Sequence, residues 1–236
     1  MRSLASFLLS AALLPAAACA QLLAPLAGPD GRLHPAWREA KLPQQKFPAT
    51  RYAIEAVDGR PALRMDAEGS YGNLVHELRT EAQGLTLAWR WRVDRFADDA
   101  DLRSKQGDDN AAKVCVFFDL PLARVPFVER QLLRLARSKS GEDLPAATVC
   151  YVWDRQIAAG SAVPNSYSRR MRYLVLRSAE TGRWHEERRD VAADFLKLFG
   201  DEAEAAPAVI GVAVGADADN TAGRSLAFVA DPVLSR

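Results

Sequence analysis

Leu85-Thr86-Leu87-Ala88-Trp89-Arg90-Trp91-Arg92-Val93-Asp94 sets Leu85, Leu87, Trp89, Trp91 and Val93 on one side of an extended chain and Thr86, Arg90, Arg92 and Asp94 on the other. Side chains alternate faces along a strand, so the stretch reads as an antiparallel strand with one face in a core and one toward water. Trp89 and Trp91, on the apolar side, read as core. Outward from it, Val114-Cys115-Val116-Phe117-Phe118 and Val149-Cys150-Tyr151-Val152-Trp153 are apolar at every position and rich in β-branched and aromatic residues, the pattern of central strands covered on both sides. Further strands are expected over 52–57, 61–66, 71–79, 171–177, 208–215 and 225–231, separated by Gly, Asp and Pro breaks. Short strands at this spacing predict a mainly β protein, an antiparallel β-sandwich of the jelly-roll kind, with one or two peripheral helices.

Two segments carry helical signals. Pro126 can open a helix to about Ser138, with Val128, Leu132, Leu135 and Ala136 as an apolar stripe and Arg130, Arg134 and Arg137 outside. Asp190 can cap a second, which turns Val191, Phe195, Leu198 and Phe199 inward and stops at Gly200. Neither alternates with strands as a parallel sheet would require.

The chain has 236 residues, with 31 Lys and Arg against 30 Asp and Glu. That balance lacks the positive excess that neutralising phosphates needs, so nucleic acid is not an expected partner. Residues 1–20 begin with Arg2, continue through an apolar run of about twelve residues and end in Ala16-Ala17-Ala18-Cys19-Ala20, a secretory signal too short to span a bilayer. Cleavage after Ala20 predicts a periplasmic or secreted protein, with a lipid anchor on Cys19 as the alternative. Residues 21–50, with five prolines, read as a loosely structured lead-in. Residues 51–236 read as one sandwich domain with a helical insertion near 121–140. Cys115 and Cys150 are disulfide candidates in an oxidising compartment and otherwise small core residues.

The chemistry must come from scattered residues. His34, His76 and His185 show no zinc spacing, and neither a phosphate-binding glycine loop, a dinucleotide fingerprint nor a serine-hydrolase elbow occurs. Two acidic turns stand out: Gly107-Asp108-Asp109, and Asp217-Ala218-Asp219-Asn220. Both lie at strand ends, and a Greek-key connection can bring such turns together at one edge of the sandwich. Crowded carboxylates need a cation, a proton or a basic partner. Calcium is one answer, although the spacing is not that of a calcium loop and no cofactor is otherwise expected. Lys105, Lys113 and Arg103 offer another, and paired carboxylates also serve glycoside hydrolysis. Trp184 and Trp153 offer flat faces on which a sugar could stack.

The expected ligand residues are therefore Asp108, Asp109, Asp217, Asp219, Asn220, Trp184 and Trp153, with a glycan or cell-envelope component as partner. The expected function is a non-catalytic binding module for such a ligand. The alternatives are a carboxylate-dependent hydrolase acting on a saccharide and a purely structural envelope protein.

Trp89-Arg90-Trp91, Gly107-Asp108-Asp109, the run Val114 to Asp119, Tyr151-Val152-Trp153, the run Arg189 to Phe195, Phe199-Gly200 and Asp217 to Thr221 together resemble the domain of unknown function 3047 family of bacterial exported proteins, over roughly residues 37–231. Lys113 stands where an Arg usually follows the Gly-Asp-Asp turn, and the segment near 121–138 is longer than usual. The resemblance implies one compact domain and brings no established activity or catalytic residues.

Overall fold

The computed structural model describes residues 21–40, 45–140 and 143–236. The expected leader, Cys19 included, lies outside them. Twelve strands and two helices follow in order: β1 (Trp37–Ala40), β2 (Arg51–Val57), β3 (Arg60–Glu68), β4 (Tyr71–Thr80), β5 (Thr86–Arg95), β6 (Lys113–Phe118), α1 (Phe127–Ser140), β7 (Ala147–Asp154), β8 (Ala162–Pro164), β9 (Met171–Ser178), β10 (His185–Asp190), α2 (Val191–Phe199), β11 (Val209–Asp217) and β12 (Arg224–Ser235). They form a seven-stranded sheet, β1-β4-β11-β6-β7-β9-β8, and a five-stranded sheet, β10-β5-β12-β3-β2. The protein is mainly β and antiparallel apart from β7 and β9, which run parallel. Local chemistry sets the connections where they are tight. Between β2 and β3 the two turn residues, Asp58 and Gly59, both have positive φ (52° and 76°), the hairpin geometry that an Asp-Gly pair accepts.

The two sheets enclose one core. β5 contributes Leu87, Trp89, Trp91 and Val93, as its alternation predicts, and β7 contributes Val149, Tyr151 and Trp153. Trp91 and Trp153 meet with ring centroids 5.6 Å apart. On the outer face of the seven-stranded sheet a second, smaller cluster gathers Val75, Cys115, Cys150, Val152, Tyr173, Val175 and Ala213, covered by Leu102 from the β5–β6 loop. Cys115 and Cys150 are direct cross-strand partners in β6 and β7 and are joined by a disulfide, with Cα atoms 4.0 Å apart.

Three sequence expectations are corrected. The lead-in is packed rather than loose: Leu23, Leu26 and Trp37 are buried, and β1 pairs with β4. β6 is central but not equally covered on its two sides, because Phe117 is only half-buried on the outer face while Phe118 is fully buried in the core. In α1 the expected inward stripe faces water. Val128, Leu132 and Leu135 are exposed, and the helix is anchored instead by Leu133 and by Glu129, which pairs with Arg169 and Arg170. α2 behaves as expected: Asp190 accepts from the Ala193 N–H, and Val191, Phe195, Leu198 and Phe199 are buried.

Strand β10 escaped the periodicity reading because its half-buried positions are charged. Glu187 accepts from the Trp91 indole and from Arg177, and Arg189 makes two hydrogen bonds to Asp194, so charge pairing replaces apolar alternation.

Candidate functional site

The β5–β6 loop enters β6 through Gly107-Asp108-Asp109-Asn110. Gly107 is required there, since a Cβ would lie 2.6 Å from the Asp101 nitrogen and 3.0 Å from the Asp99 and Asp101 carbonyl oxygens. The Asp101 N–H in turn donates to the Gly107 carbonyl, which fixes the direction of the two acidic residues that follow. At the same edge of the sheet β11 ends in Asp217-Ala218-Asp219-Asn220.

The two turns are stitched together. Asp109 accepts from the backbone N–H groups of Asn220 (3.0 Å) and Thr221 (2.9 Å) and from the Thr221 hydroxyl (2.5 Å). Asp217 accepts from the Asn110 N–H (2.5 Å), and its other oxygen receives the Lys113 ammonium. Both members of this ion pair are buried. Burial alone would push Lys113 down, but the Asp217 carboxylate outweighs it and holds the ammonium above its ordinary value. Lys113 also stands 4.9 Å from the centre of the Tyr71 ring.

Asp108 and Asp219 are differently placed. Asp108 is buried, and its two oxygens accept from the Tyr173 hydroxyl (3.0 Å) and the Asn165 amide (2.7 Å). Burial, reinforced by the Asp217 charge, pushes its carboxyl up to about 6. The Asp219 carboxyl is raised to about 6 by the same causes, and its Oδ1 is buried with no hydrogen-bond partner. Both line a hollow of about 630 Å³ together with Phe47, Tyr71, Lys113, Tyr167 and Tyr173. An adjoining hollow of about 710 Å³ shares Tyr71, Lys113 and Met171 and runs over the outer face of the seven-stranded sheet to Leu144 and Pro145. The two form one cleft with the acidic turns at one end. Tyr167 closes the rim there, 61% exposed, its hydroxyl donating to the Lys105 carbonyl and accepting from the Asn220 amide.

Of the residues singled out from the sequence, Asp108, Asp109, Asp217, Asp219 and Asn220 converge at this edge. The two tryptophans do not join them. Trp153 is 1% exposed in the core between Trp91 and His185, and Trp184 lies on the outer face of the other sheet, half-buried under Arg90, its indole N–H donating to Asp58. The aromatic lining comes from Tyr71, Tyr167, Tyr173 and Phe47 instead. Tyr173, in strand β9, and Asn165, in the turn after β8, carry no signal in the sequence, because their partner Asp108 is distant in the chain. The oxygens of Asp109 and Asp217 are taken by N–H groups, the Thr221 hydroxyl and Lys113, and among the described residues no group of three His, Cys, Asp or Glu is arranged to hold a metal ion.

Solved structures similar to this chain include two endoglucanases and a xyloglucanase. Endoglucanase Cel12A from Rhodothermus marinus matches with 11% identity over 84% of this chain and 95% of its own, at a TM-score of 0.44. Endoglucanase 3 from Trichoderma harzianum, of family GH12, matches with 11% identity over 92% and 95%, at 0.43. A family 12 xyloglucanase from Bacillus licheniformis matches with 7% identity over 80% and 88%, at 0.42. The expectation of a non-catalytic binding module differs from what these structures are described as, endoglucanases and a xyloglucanase. No curated protein matches the sequence. Residues 35–233 match the family described as Protein of unknown function (DUF3047), and the chain belongs to that family.

Proposed function

We propose that the protein is a carboxylate-dependent hydrolase that cleaves a saccharide in the cleft of the seven-stranded sheet. One observation carries this reading: of the three carboxyls that line the hollow, Asp217 is paired with the Lys113 ammonium, which leaves Asp108, with both oxygens held by hydrogen bonds, and Asp219, with an unpartnered oxygen. The difference assigns their roles. Hydrogen bonds donated to a carboxylate favour its charged form, so Asp108 is the base that takes a proton from an attacking water. Both carboxyls are raised to about 6, and Asp219, which lacks a donor at Oδ1, is the acid that gives its proton to the leaving glycosidic oxygen. Water adds to the anomeric carbon as the bond to that oxygen breaks, and proton exchange with solvent restores both groups. Lys113 and Asp217 hold the floor, and the rings of Tyr167 and Phe47, both exposed at the rim, offer stacking faces to a sugar chain. The proposed steps use protein carboxyls and water alone. The signal read at residues 1–20 supports a periplasmic or secreted location, where polysaccharide substrates are found.

Release of reducing ends from a panel of soluble polysaccharides, xyloglucan and cellulose derivatives included, tests the reading. Asp219→Asn and Asp108→Asn are each expected to lower the rate by about 100-fold or more while the fold is retained. The rate is expected to peak near pH 6, falling on the acid side as Asp108 takes up a proton and on the alkaline side as Asp219 loses its own. A wild-type protein inert on the whole panel, or variants as active as the wild type, would overturn it.

A further inference from the structure

Helix α1 is amphipathic with its apolar stripe turned away from the protein. At 3.6 residues per turn Val128, Leu132 and Leu135 share one side of the helix, away from Leu133, which is buried. They are 68%, 60% and 51% exposed, and Phe127 at the first turn is 67% exposed. The inward side is fully engaged: Glu129 pairs with Arg169 and Arg170, and Arg137 donates to the Leu144 carbonyl and pairs with Asp143. Arg124, Arg134 and Lys139 are exposed around the stripe, and Arg130 lies over the Phe127 ring at 5.6 Å. From Arg124 to Lys139 every exposed charge is positive, because the segment's acidic residue, Glu129, is turned inward.

An apolar ridge framed by cations complements a surface that is apolar within and negatively charged at its outer layer. We propose that α1 is an interfacial helix that seats the protein on an anionic lipid bilayer, with Val128, Leu132 and Leu135 entering the acyl boundary and Arg124, Arg134 and Lys139 meeting lipid phosphates. Cations spread around a ridge suit a delocalised layer of negative charge better than a partner protein with a few fixed carboxylates. Leu144 and Pro145, just after the helix, line the cleft.

Vesicle flotation with the purified protein tests this independently of any activity. Binding to vesicles of phosphatidylcholine with about 30% phosphatidylglycerol is expected to exceed binding to phosphatidylcholine alone by about tenfold and to weaken as salt is raised. The variant Val128→Ser/Leu132→Ser/Leu135→Ser and the variant Arg124→Ser/Arg134→Ser/Lys139→Ser are each expected to lose about tenfold in binding with unchanged thermal melts, since the altered side chains are exposed. Wild-type protein that ignores anionic vesicles, or variants that bind them as it does, would overturn the proposal. Dimers that disperse in the Val128/Leu132/Leu135 variant, with no vesicle binding by wild type, would overturn it in favour of a second copy on this face.

Discussion

The two faces of the seven-stranded sheet are built from the same strands, and only the outer one carries buried charge beside its apolar cluster. In β6, Val114, Val116 and Phe118 point into the core, while Lys113, Cys115 and Phe117 point to the cleft. In β11, Val212 and Val214 go inward and Ala213 outward, and the strand ends in the buried Asp217. The inner face is held by area removed from water, which is non-directional and tolerates exchange of one apolar shape for another. The outer face is held at its acidic end by directed bonds to Asp109, Asp217 and Asp108, each of which loses its value when one partner is removed.

The largest expected effect falls on the inner face. Phe118→Ala, which empties a site packed against Phe195 at 4.6 Å between ring centres, should cost about 3–5 kcal/mol in denaturant melts, while Phe117→Ala next to it should cost about 1–2 kcal/mol. Equal losses from the two substitutions would erase the distinction between the faces. Lys113→Met should cost about 3 kcal/mol by leaving Asp217 buried without its cation, and adding Asp217→Asn should restore part of that loss. Additive losses in the double variant would show that the ion pair is not the unit that matters.

A smaller effect should appear in the pH dependence. Asp108 and Asp219 titrate near 6 in the folded protein against 3.8 ordinarily, so between those values the folded chain retains protons that the unfolded chain has released. Their contribution to stability is therefore present below about pH 4 and is lost as pH rises through about 6. Melts from pH 4 to 7 should show this decline in the wild type relative to Asp108→Asn/Asp219→Asn, and parallel curves would place these carboxyls in water rather than in a desolvated cleft.

Much of this was legible in the chain. The strands β2 to β7, β9, β11 and β12 were visible because alternation and β-branched runs are local properties, and the Asp190 cap and Gly200 stop of α2 are equally local. The approach of the two acidic turns followed from their positions at strand ends. The strands β1, β8 and β10 were not visible, being short, or paired through charge. The two helices make the limit plain: both show an apolar stripe in sequence, and the protein buries one in its core and leaves the other on its surface.

The sequence by itself determined the fold class, the positions of the long strands and the existence of two carboxylate-rich turns, because each depends on spacing along a few consecutive residues. Only the tertiary structure decided which carboxyl of each turn is spent on holding the turns together and which is desolvated in the cleft without a basic partner. Asp109 and Asp217 are tied to backbone N–H groups and Lys113 drawn from more than a hundred residues away, whereas Asp108 and Asp219 are desolvated by walls that the chain supplies from Tyr71 to Tyr173. A carboxyl's proton affinity depends on burial and on neighbouring charge in three dimensions, and neither is a property of the residues beside it in the chain.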